Sequence, residues 1–275
     1  MKRLLLITLS AVLLIGLLTA CGGSSSKNET ESNVLRVGME CDYPPYNWSQ
    51  KDDSNGAVKV EGSNEYANGY DVQIAKKIAE GLGKELVVIK TSWEGLVPAL
   101  DSETIDVIIA GMSPLGDRRE VIDFSDYYWA SDLVMVVKRG SEYENASSLS
   151  DFSGAKVSAQ SGTLHYTVID QIPGVEKDVA LESFPTLRVS LESGIIDAYV
   201  SERPEAVSAK LHNEDLTFVE LEDGFETDND ETAVAVGVKK GSELTAEINE
   251  ILKDISEDER LELMDRCIKM QDESN

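Results

Sequence analysis

The stretch that decides the fold lies at residues 105–119, which read IDVIIAGMSPLGDRR. Its first six residues form a mostly apolar run typical of a buried strand, and Gly111, Ser113 and Arg118 then follow in one loop. In an open α/β sheet, ligands bind just beyond the carboxyl ends of the strands. A guanidinium at that place can hold a carboxylate through two parallel hydrogen bonds. The stretch therefore predicts a strand that ends in a ligand-binding loop.

The chain on both sides of this stretch alternates between strand and helix patterns. Such alternation favours a mainly parallel sheet with helices on both faces. The apolar runs at 132–137 and 232–238 look too continuous for flexible linkers, which favours two lobes joined by two strand-like crossings. The predicted strands are 34–39, 85–90, 105–110, 132–137, 155–159, 179–184, 197–200, 217–221 and 232–238.

The first 33 residues differ in character from the rest. A basic start, Met1-Lys2-Arg3, precedes an uncharged apolar segment at 4–20 that ends at Cys21. This order is typical of a bacterial signal peptide with a lipobox, in which the cysteine receives the lipid. An uncleaved membrane helix is the alternative, although the segment is near the lower length limit for spanning a bilayer. We therefore expect a lipoprotein signal peptide at 1–20, lipidation of Cys21 and a flexible tether at 21–33.

The charge and the few cysteines and histidines narrow the classes of function. A formal net charge of -26 argues against nucleic acid as a partner. An exported location would permit a disulfide between Cys41 and Cys267, and two isolated thiols are equally compatible with the sequence. His165 and His212 stand alone, so neither a zinc site nor a histidine-based catalytic site is indicated. No metal and no cofactor are expected.

Several short motifs occur in a fixed order along the chain. They read RVG at 36–38, YPPY at 43–46, GYD at 69–71, WEGLVPAL at 93–100, IDVIIAGMS at 105–113 and DFS at 123–125. In this order, behind a lipobox and together with Arg118, they resemble the family 3 solute-binding proteins of bacterial ABC importers, which bind polar amino acids. The resemblance covers residues from Val34 to about Met270.

The resemblance implies an α/β fold of two lobes, the type II periplasmic-binding-protein-like fold. Two mixed sheets flanked by helices would be joined by two hinge crossings, near 129–132 and 230–234. Lobe 1 would comprise residues 34–130 and 234–275, and lobe 2 would comprise residues 131–233. The two lobes would close on one amino acid.

The resemblance also implies which residues bind the backbone of the amino acid. Arg118 and Ser113 match positions that bind the α-carboxylate, and Gly111 matches a position whose carbonyl meets the α-ammonium. Glu202 stands where the family usually has an aspartate that binds the α-ammonium; its other interpretation is a solvated carboxylate at a helix start. A strand-to-helix loop that favours an anion contains Ser161, Gly162 and Thr163, and an ordinary helix cap is the alternative there.

Three other residues are expected to determine which amino acid the protein binds. Tyr43 and Trp93 match aromatic positions that sandwich the ligand side chain, although aromatic residues near strand ends are often part of the core. Glu40 matches an acidic position at the far end of the ligand. Aromatic rings and a buried carboxylate favour a ligand with a cationic side chain, such as arginine, lysine, ornithine or histidine. Glutamine is the alternative ligand.

The implied function is capture and delivery without catalysis. The protein would be a lipid-anchored monomer on the extracytoplasmic face of the bacterial membrane, and it would hand an L-amino acid to the permease subunits of an ABC transporter. A sensor domain that binds an amino acid has the same sequence features. An enzyme on the same fold would need a positioned acid or base, and the sequence shows no such pair.

Overall fold

The structure of the protein is a computed structural model that describes residues 33–228 and 230–271. The predicted signal peptide, Cys21 and the tether up to residue 32 lie outside the described residues. Within them the strands are β1 Val34–Met39, β2 Asp42–Tyr43, β3 Asn47–Gln50, β4 Val58–Lys59, β5 Tyr66–Asn68, β6 Glu85–Lys90, β7 Val107–Ile108, β8 Ile122–Ala130, β9 Leu133–Lys138, β10 Lys156–Ser158, β11 Glu176–Lys177, β12 Ala198–Glu202, β13 Leu216–Val219 and β14 Ala233–Lys239. The α-helices are α1 Tyr70–Gly81, α2 Leu96–Asp101, α3 Gly116–Val121, α4 Leu164–Val168, α5 Phe184–Glu192, α6 Arg203–His212, α7 Leu244–Lys253 and α8 Glu257–Met270.

Two five-stranded sheets form the framework, and both are mixed. The first has the strand order β6-β1-β7-β14-β8 and the second has the order β11-β10-β12-β9-β13. In the first sheet β6, β1 and β7 are parallel, whereas β14 runs antiparallel to both of its neighbours. The second sheet repeats this arrangement, with β9 as its antiparallel strand. The predicted α/β fold with two mixed sheets is therefore confirmed.

The chain passes between the two sheets twice. β8 ends at Ala130 in the first sheet and β9 begins at Leu133 in the second; the chain returns between β13 and β14. The two connections are neighbours, because the backbone N–H of Ser131 donates to the carbonyl oxygen of Thr232 at 3.3 Å. The two crossings anticipated from the apolar runs are thus present.

Buried strand residues and packed helices form the core around the first sheet. Six of the seven residues of β14 are buried, as expected for a strand covered on both sides. Helix α1 buries Val72, Ile74 and Ile78, and the last two helices, α7 and α8, pack against it. No helix in the described ranges has the length and apolar content needed to cross a bilayer.

The predictions for two segments of the chain need correction or refinement. The strand predicted at 179–184 is wrong: the ladder strand is β11 at 176–177, and α5 begins at Phe184 because Pro185 occupies its first turn. The polar residues at 50–67 predict a loop that forms a hairpin or an insertion. This segment contains β4 and part of β5, which belong to a small four-stranded sheet.

The position of Asp71 before an apolar repeat predicts that it caps a helix, but Asp71 is the second residue of α1. The helix begins one residue earlier, and the preceding Gly69 has φ +125°, where an added Cβ would lie 2.3 Å from the carbonyl oxygen of Tyr46. This close approach of two backbone segments turns the carboxylate of Asp71 into the interior, where it is fully buried. Cys41 and Cys267 are also buried, and neither forms a disulfide.

Candidate functional site

A small cavity lies where the loops of the two sheets meet. Its volume is about 10 Å³, which is room for about one water molecule, so it must widen to admit an amino acid. Seven of the ten predicted ligand-binding residues line it: Tyr43, Trp93, Gly111, Ser113, Arg118, Thr163 and Glu202. Four residues that sequence reasoning missed complete the lining: Gln160, Leu164, His165 and Phe184.

The strand order explains why residues so distant in sequence meet here. In the first sheet, Tyr43, Trp93 and Gly111 follow the carboxyl ends of β1, β6 and β7. In the second sheet, Thr163 follows β10 and Glu202 ends β12. Parallel strands place their carboxyl ends at one edge of a sheet, and that edge is where open α/β sheets bind ligands.

Arg118 presents a cation to this cavity. Its Nη1 donates to the carbonyl oxygen of Ser113 at 2.8 Å, and its Nη2 donates to the carbonyl oxygen of Gly162 at 2.6 Å. The guanidinium also lies 4.9 Å from the ring centre of Trp93. Burial lowers its pKa to about 10, so it stays charged at neutral pH. Among the described residues no carboxylate forms an ion pair with it, which leaves its charge available for a ligand carboxylate.

Glu202 presents a carboxylate to the same cavity. The hydroxyl of Tyr43 donates to its Oε2, and Nε2 of His165 lies 2.9 Å from its Oε1. Burial alone would raise the pKa of Glu202, but the charge of His165 and the hydrogen bonds to the carboxylate outweigh burial and lower the pKa below its ordinary value. Glu202 is therefore an ionised acid that lines the cavity.

A buried network holds the loop that contains Gly111. The N–H of Gly111 donates to the hydroxyl oxygen of Tyr128 at 3.1 Å, and that hydroxyl donates to Asp71 at 2.7 Å. Asn47 donates to the other carboxylate oxygen of Asp71 at 2.7 Å and accepts from the N–H of Cys41 at 2.7 Å. Burial raises the pKa of Asp71 to about 7. The network ties the loop before Tyr43 to the loop at Gly111.

Gly111 itself adopts a conformation that favours glycine. Its φ is +61°, and an added Cβ would lie 2.7 Å from the ring of Tyr43. The close approach of backbone and ring is therefore a requirement of the cavity wall, as the glycine in the 105–119 stretch suggests.

The aromatic residues are arranged differently from the predicted ligand sandwich. The ring of Tyr43 stacks between Tyr46 at 4.7 Å and Phe184 at 4.5 Å, so both its faces contact other rings. Phe184 was missed because its segment reads as a strand, whereas the structure makes it the first residue of α5. Trp93 lines the cavity beside Arg118, where its stacking partner is that guanidinium.

Three predicted residues lie beside the cavity without lining it. Ser161 donates from its hydroxyl to Oε1 of Glu94 at 2.7 Å, and Gly162 accepts from Arg118 as described above. Glu40 is buried and accepts from Nε2 of Gln160 at 3.1 Å, while its Oε2 is buried without a hydrogen-bond partner in residues 33–228 and 230–271. Burial, followed by the nearby charge of Asp42, raises the pKa of Glu40 to about 8.

The shifted pKa of Glu40 predicts a dependence of stability on pH. Between its ordinary pKa of 4.5 and about 8, the folded protein keeps a proton that the unfolded chain releases, so this residue reduces stability as pH rises. The slope approaches about 1.4 kcal/mol per pH unit. Glu40→Gln should remove it. Urea unfolding of the two chains at pH values between about 5 and 8 tests this, and parallel curves of free energy against pH would contradict it.

The lining residues suit a small zwitterion. A cation, an acid, hydroxyls from Ser113 and Thr163, and aromatic surface surround one cavity, and such a set binds opposite charges and an apolar stem. Within the described ranges no group of three or more histidine, cysteine, aspartate or glutamate side chains is arranged to hold a metal ion.

Comparison with known proteins agrees with this geometry. The model of the bacterial extracellular solute-binding proteins, family 3, matches residues 35–267. The arginine-binding extracellular protein ArtP of Bacillus subtilis is 29% identical over 267 residues, which cover 95% of this chain and 96% of that protein. A probable histidine-binding protein of Campylobacter jejuni is 30% identical and covers 76% of this chain and 78% of its own.

A solved structure shows that the fold is similar as well. The amino-acid ABC transporter substrate-binding protein AbpA of Streptococcus pneumoniae, bound to L-arginine, matches with a TM-score of 0.73 and 28% identity over 86% of this chain and 95% of that one. The family model covers most of the chain, and the resemblance seen in the sequence motifs is confirmed. The chain belongs to the bacterial extracellular solute-binding proteins, family 3.

Proposed function

We propose that this protein captures a polar L-amino acid, with a basic side chain preferred, and delivers it to the permease of an ABC transporter. Lobe 1 would comprise residues 34–130 and 234–275, lobe 2 would comprise residues 131–233, and closure of the two would enclose the ligand. The protein would act as a monomer, anchored through lipid on Cys21 at the extracytoplasmic face of the membrane after removal of residues 1–20, with 21–33 as tether.

One observation carries the proposal: opposite charges line a single cavity. Arg118 has no carboxylate partner in the described part of the chain, and Glu202 is an ionised acid. An amino acid offers the complementary pair, a carboxylate for the guanidinium and an ammonium for the acid. The small size of the cavity favours a ligand that both lobes enclose, which removes water and strengthens each charged contact.

Glu40 supports a basic ligand. Its Oε2 is buried beside the lining residue Gln160 and has no hydrogen-bond partner among the residues that the structure describes. A guanidinium or ammonium at the end of a ligand side chain would pair with this oxygen and favour the ionised form of the carboxyl. The named ligands of ArtP, of the Campylobacter jejuni relative and of AbpA are basic amino acids as well.

A thermal-shift screen against the common L-amino acids, including arginine, lysine, ornithine, histidine, glutamine and cystine, tests the proposal. A ligand at about 100 times its dissociation constant stabilises the folded protein by about 2.7 kcal/mol, which shifts the melting temperature by several degrees. We expect the basic amino acids to give the largest shifts. If no amino acid stabilises the protein, the proposed function is wrong.

Glu40→Gln should weaken the binding of basic ligands selectively. The glutamine keeps the size of the side chain but cannot ionise, so it loses the charge pair with a cationic ligand, about tenfold to a hundredfold in affinity. L-Glutamine binding should change by less than about threefold, because an amide carbonyl still accepts a hydrogen bond. Calorimetry with both ligands measures this, with Asp42→Asn as the control for loss of a nearby exposed acid. An equal loss for both ligands would exclude a role of Glu40 in specificity.

The alternatives differ in ligand or in partner. If glutamine stabilises the protein more than arginine does, Glu40 accepts from an amide and the ligand is a neutral polar amino acid. A sensor would bind the same ligand but signal to a membrane receptor. Permease and ATPase genes beside the coding gene would support import, and a histidine kinase gene would support sensing.

A further inference from the structure

One buried residue in the cavity has no role in the proposed function so far. His165, in α4, is 6% exposed and lines the cavity. Its Nε2 lies 2.9 Å from Oε1 of Glu202, and its ring meets Phe184 edge to face with centres 5.9 Å apart. The 2.9 Å separation is an ion-pair distance, and both ring nitrogens are buried without a hydrogen-bond partner among the described residues. His165 therefore stands beside the acid that is expected to bind the α-ammonium.

The surroundings of His165 contain few other charges. Glu202 from β12 contacts it directly, and Tyr43 from β2 contacts the same carboxylate. Arg118 from α3 lines the same cavity, and Phe184 from α5 provides an apolar wall. Histidine is the side-chain type that changes charge in the pH range around neutrality. A histidine thus stands beside the carboxylate of the predicted ammonium subsite.

The second ring nitrogen has no contact that would satisfy it in the described part of the chain. Nδ1 of His165 is buried there without a hydrogen-bond partner. When the ring is neutral with its proton on Nε2, towards Glu202, Nδ1 is an acceptor, and an ammonium is a donor that can satisfy it. When the ring is protonated, both nitrogens are donors and the cation competes with an ammonium for Glu202.

We propose that His165 is a second recognition residue for the α-ammonium of the ligand, that only its neutral form is competent, and that capture of an amino acid releases its proton to solvent. This inference rests on the proposed function, because it requires the ammonium to bind at Glu202. It adds a residue that the family resemblance does not indicate, and it makes capture weaker in acidic surroundings whichever amino acid is the ligand.

The test is calorimetry with L-arginine on the full-length chain and on His165→Gln, at about pH 8 and about pH 5.5. One released proton changes affinity by up to about tenfold per pH unit, so we expect the original chain to bind at least about tenfold more weakly at the lower pH. His165→Gln should change distinctly less. Since Glu40 also titrates in this range, the comparison is repeated with Glu40→Gln in both chains, and the difference between the two should persist.

A deaminated ligand provides a second measurement that needs no variant. Binding heats of the original chain in buffers of different ionisation enthalpy count the protons released. L-Arginine should release more protons than 5-guanidinopentanoate, which keeps the guanidinium for Glu40 but lacks the α-ammonium. Equal proton release for the two, or the same pH dependence in His165→Gln as in the original chain, would overturn the inference while leaving amino-acid binding intact. Absence of binding to every amino acid tested would overturn both proposals.

Discussion

Arg118→Ala should weaken the binding of every amino-acid ligand by about 150-fold to about 5,000-fold, because it leaves a buried ligand carboxylate without its cation, a loss of about 3 to 5 kcal/mol. The guanidinium bonds only backbone carbonyls, those of Ser113 and Gly162, so its charge is otherwise uncompensated by an acid among the described residues. The effect should be the same for basic and neutral ligands, since all share the α-carboxylate.

The neighbouring arginine is the matched control. Arg119 is exposed and donates to the carbonyl oxygen of Pro114 at 2.7 Å and to the hydroxyl of Tyr127 at 3.3 Å, away from the cavity. Arg119→Ala should leave affinity within about twofold, as expected for a surface change. Arg118→Lys should lie between the two, because lysine keeps the charge but loses the planar pair of donors. Normal binding by Arg118→Ala in calorimetry would show that the site is assigned wrongly.

Asp71→Ala should destabilise the folded protein by on the order of 2 to 6 kcal/mol. The carboxylate accepts hydrogen bonds from Asn47 and Tyr128 in the buried interior, and each donor left without a partner costs about 1 to 3 kcal/mol. The hydroxyl of Tyr128 also holds the N–H of Gly111. Loss of Asp71 should therefore weaken ligand binding in addition to lowering the midpoint of urea unfolding.

A carboxylate without such contacts provides the comparison for Asp71. Asp101, at the end of α2, is exposed, and Asp101→Ala should change the free energy of unfolding by less than about 0.5 kcal/mol. Asp71→Asn keeps one acceptor and should lose less stability than Asp71→Ala. If Asp71→Ala unfolds at the same urea concentration as the original chain, the network does not hold the loop at Gly111.

Much of the site was predictable because it follows strand ends. The apolar runs predict the strands, and the residues just after them, such as Tyr43, Gly111 and Arg118, are where an open sheet exposes polar groups to a ligand. The boundaries of elements are encoded less clearly. Acidic and aromatic residues interrupt the apolar pattern of β8, so the sequence does not predict this strand, and the pattern around Phe184 predicts a strand where α5 begins.

Pairings between distant residues were not predictable. Tyr43 meets Glu202 across 159 positions, and Gln160 meets Glu40 across 120; neither pair has any spacing signal. Asp71 reads as a helix cap, and its burial depends on the close approach of Gly69 to the segment at Tyr46. His165 reads as an isolated histidine, because its partner Glu202 lies on another strand.

The sequence by itself determined the α/β class, the two crossings and the cation at Arg118, because hydrophobic period and strand-end polarity are local properties of the chain. Only the tertiary structure decided which groups each charged side chain contacts. Within the described ranges it left Arg118 without an acidic ion-pair partner, placed His165 against Glu202 and buried Glu40 and Asp71 deeply enough to raise their pKa values. Burial and charge proximity depend on how two sheets come together, and no local pattern of residues encodes that distance.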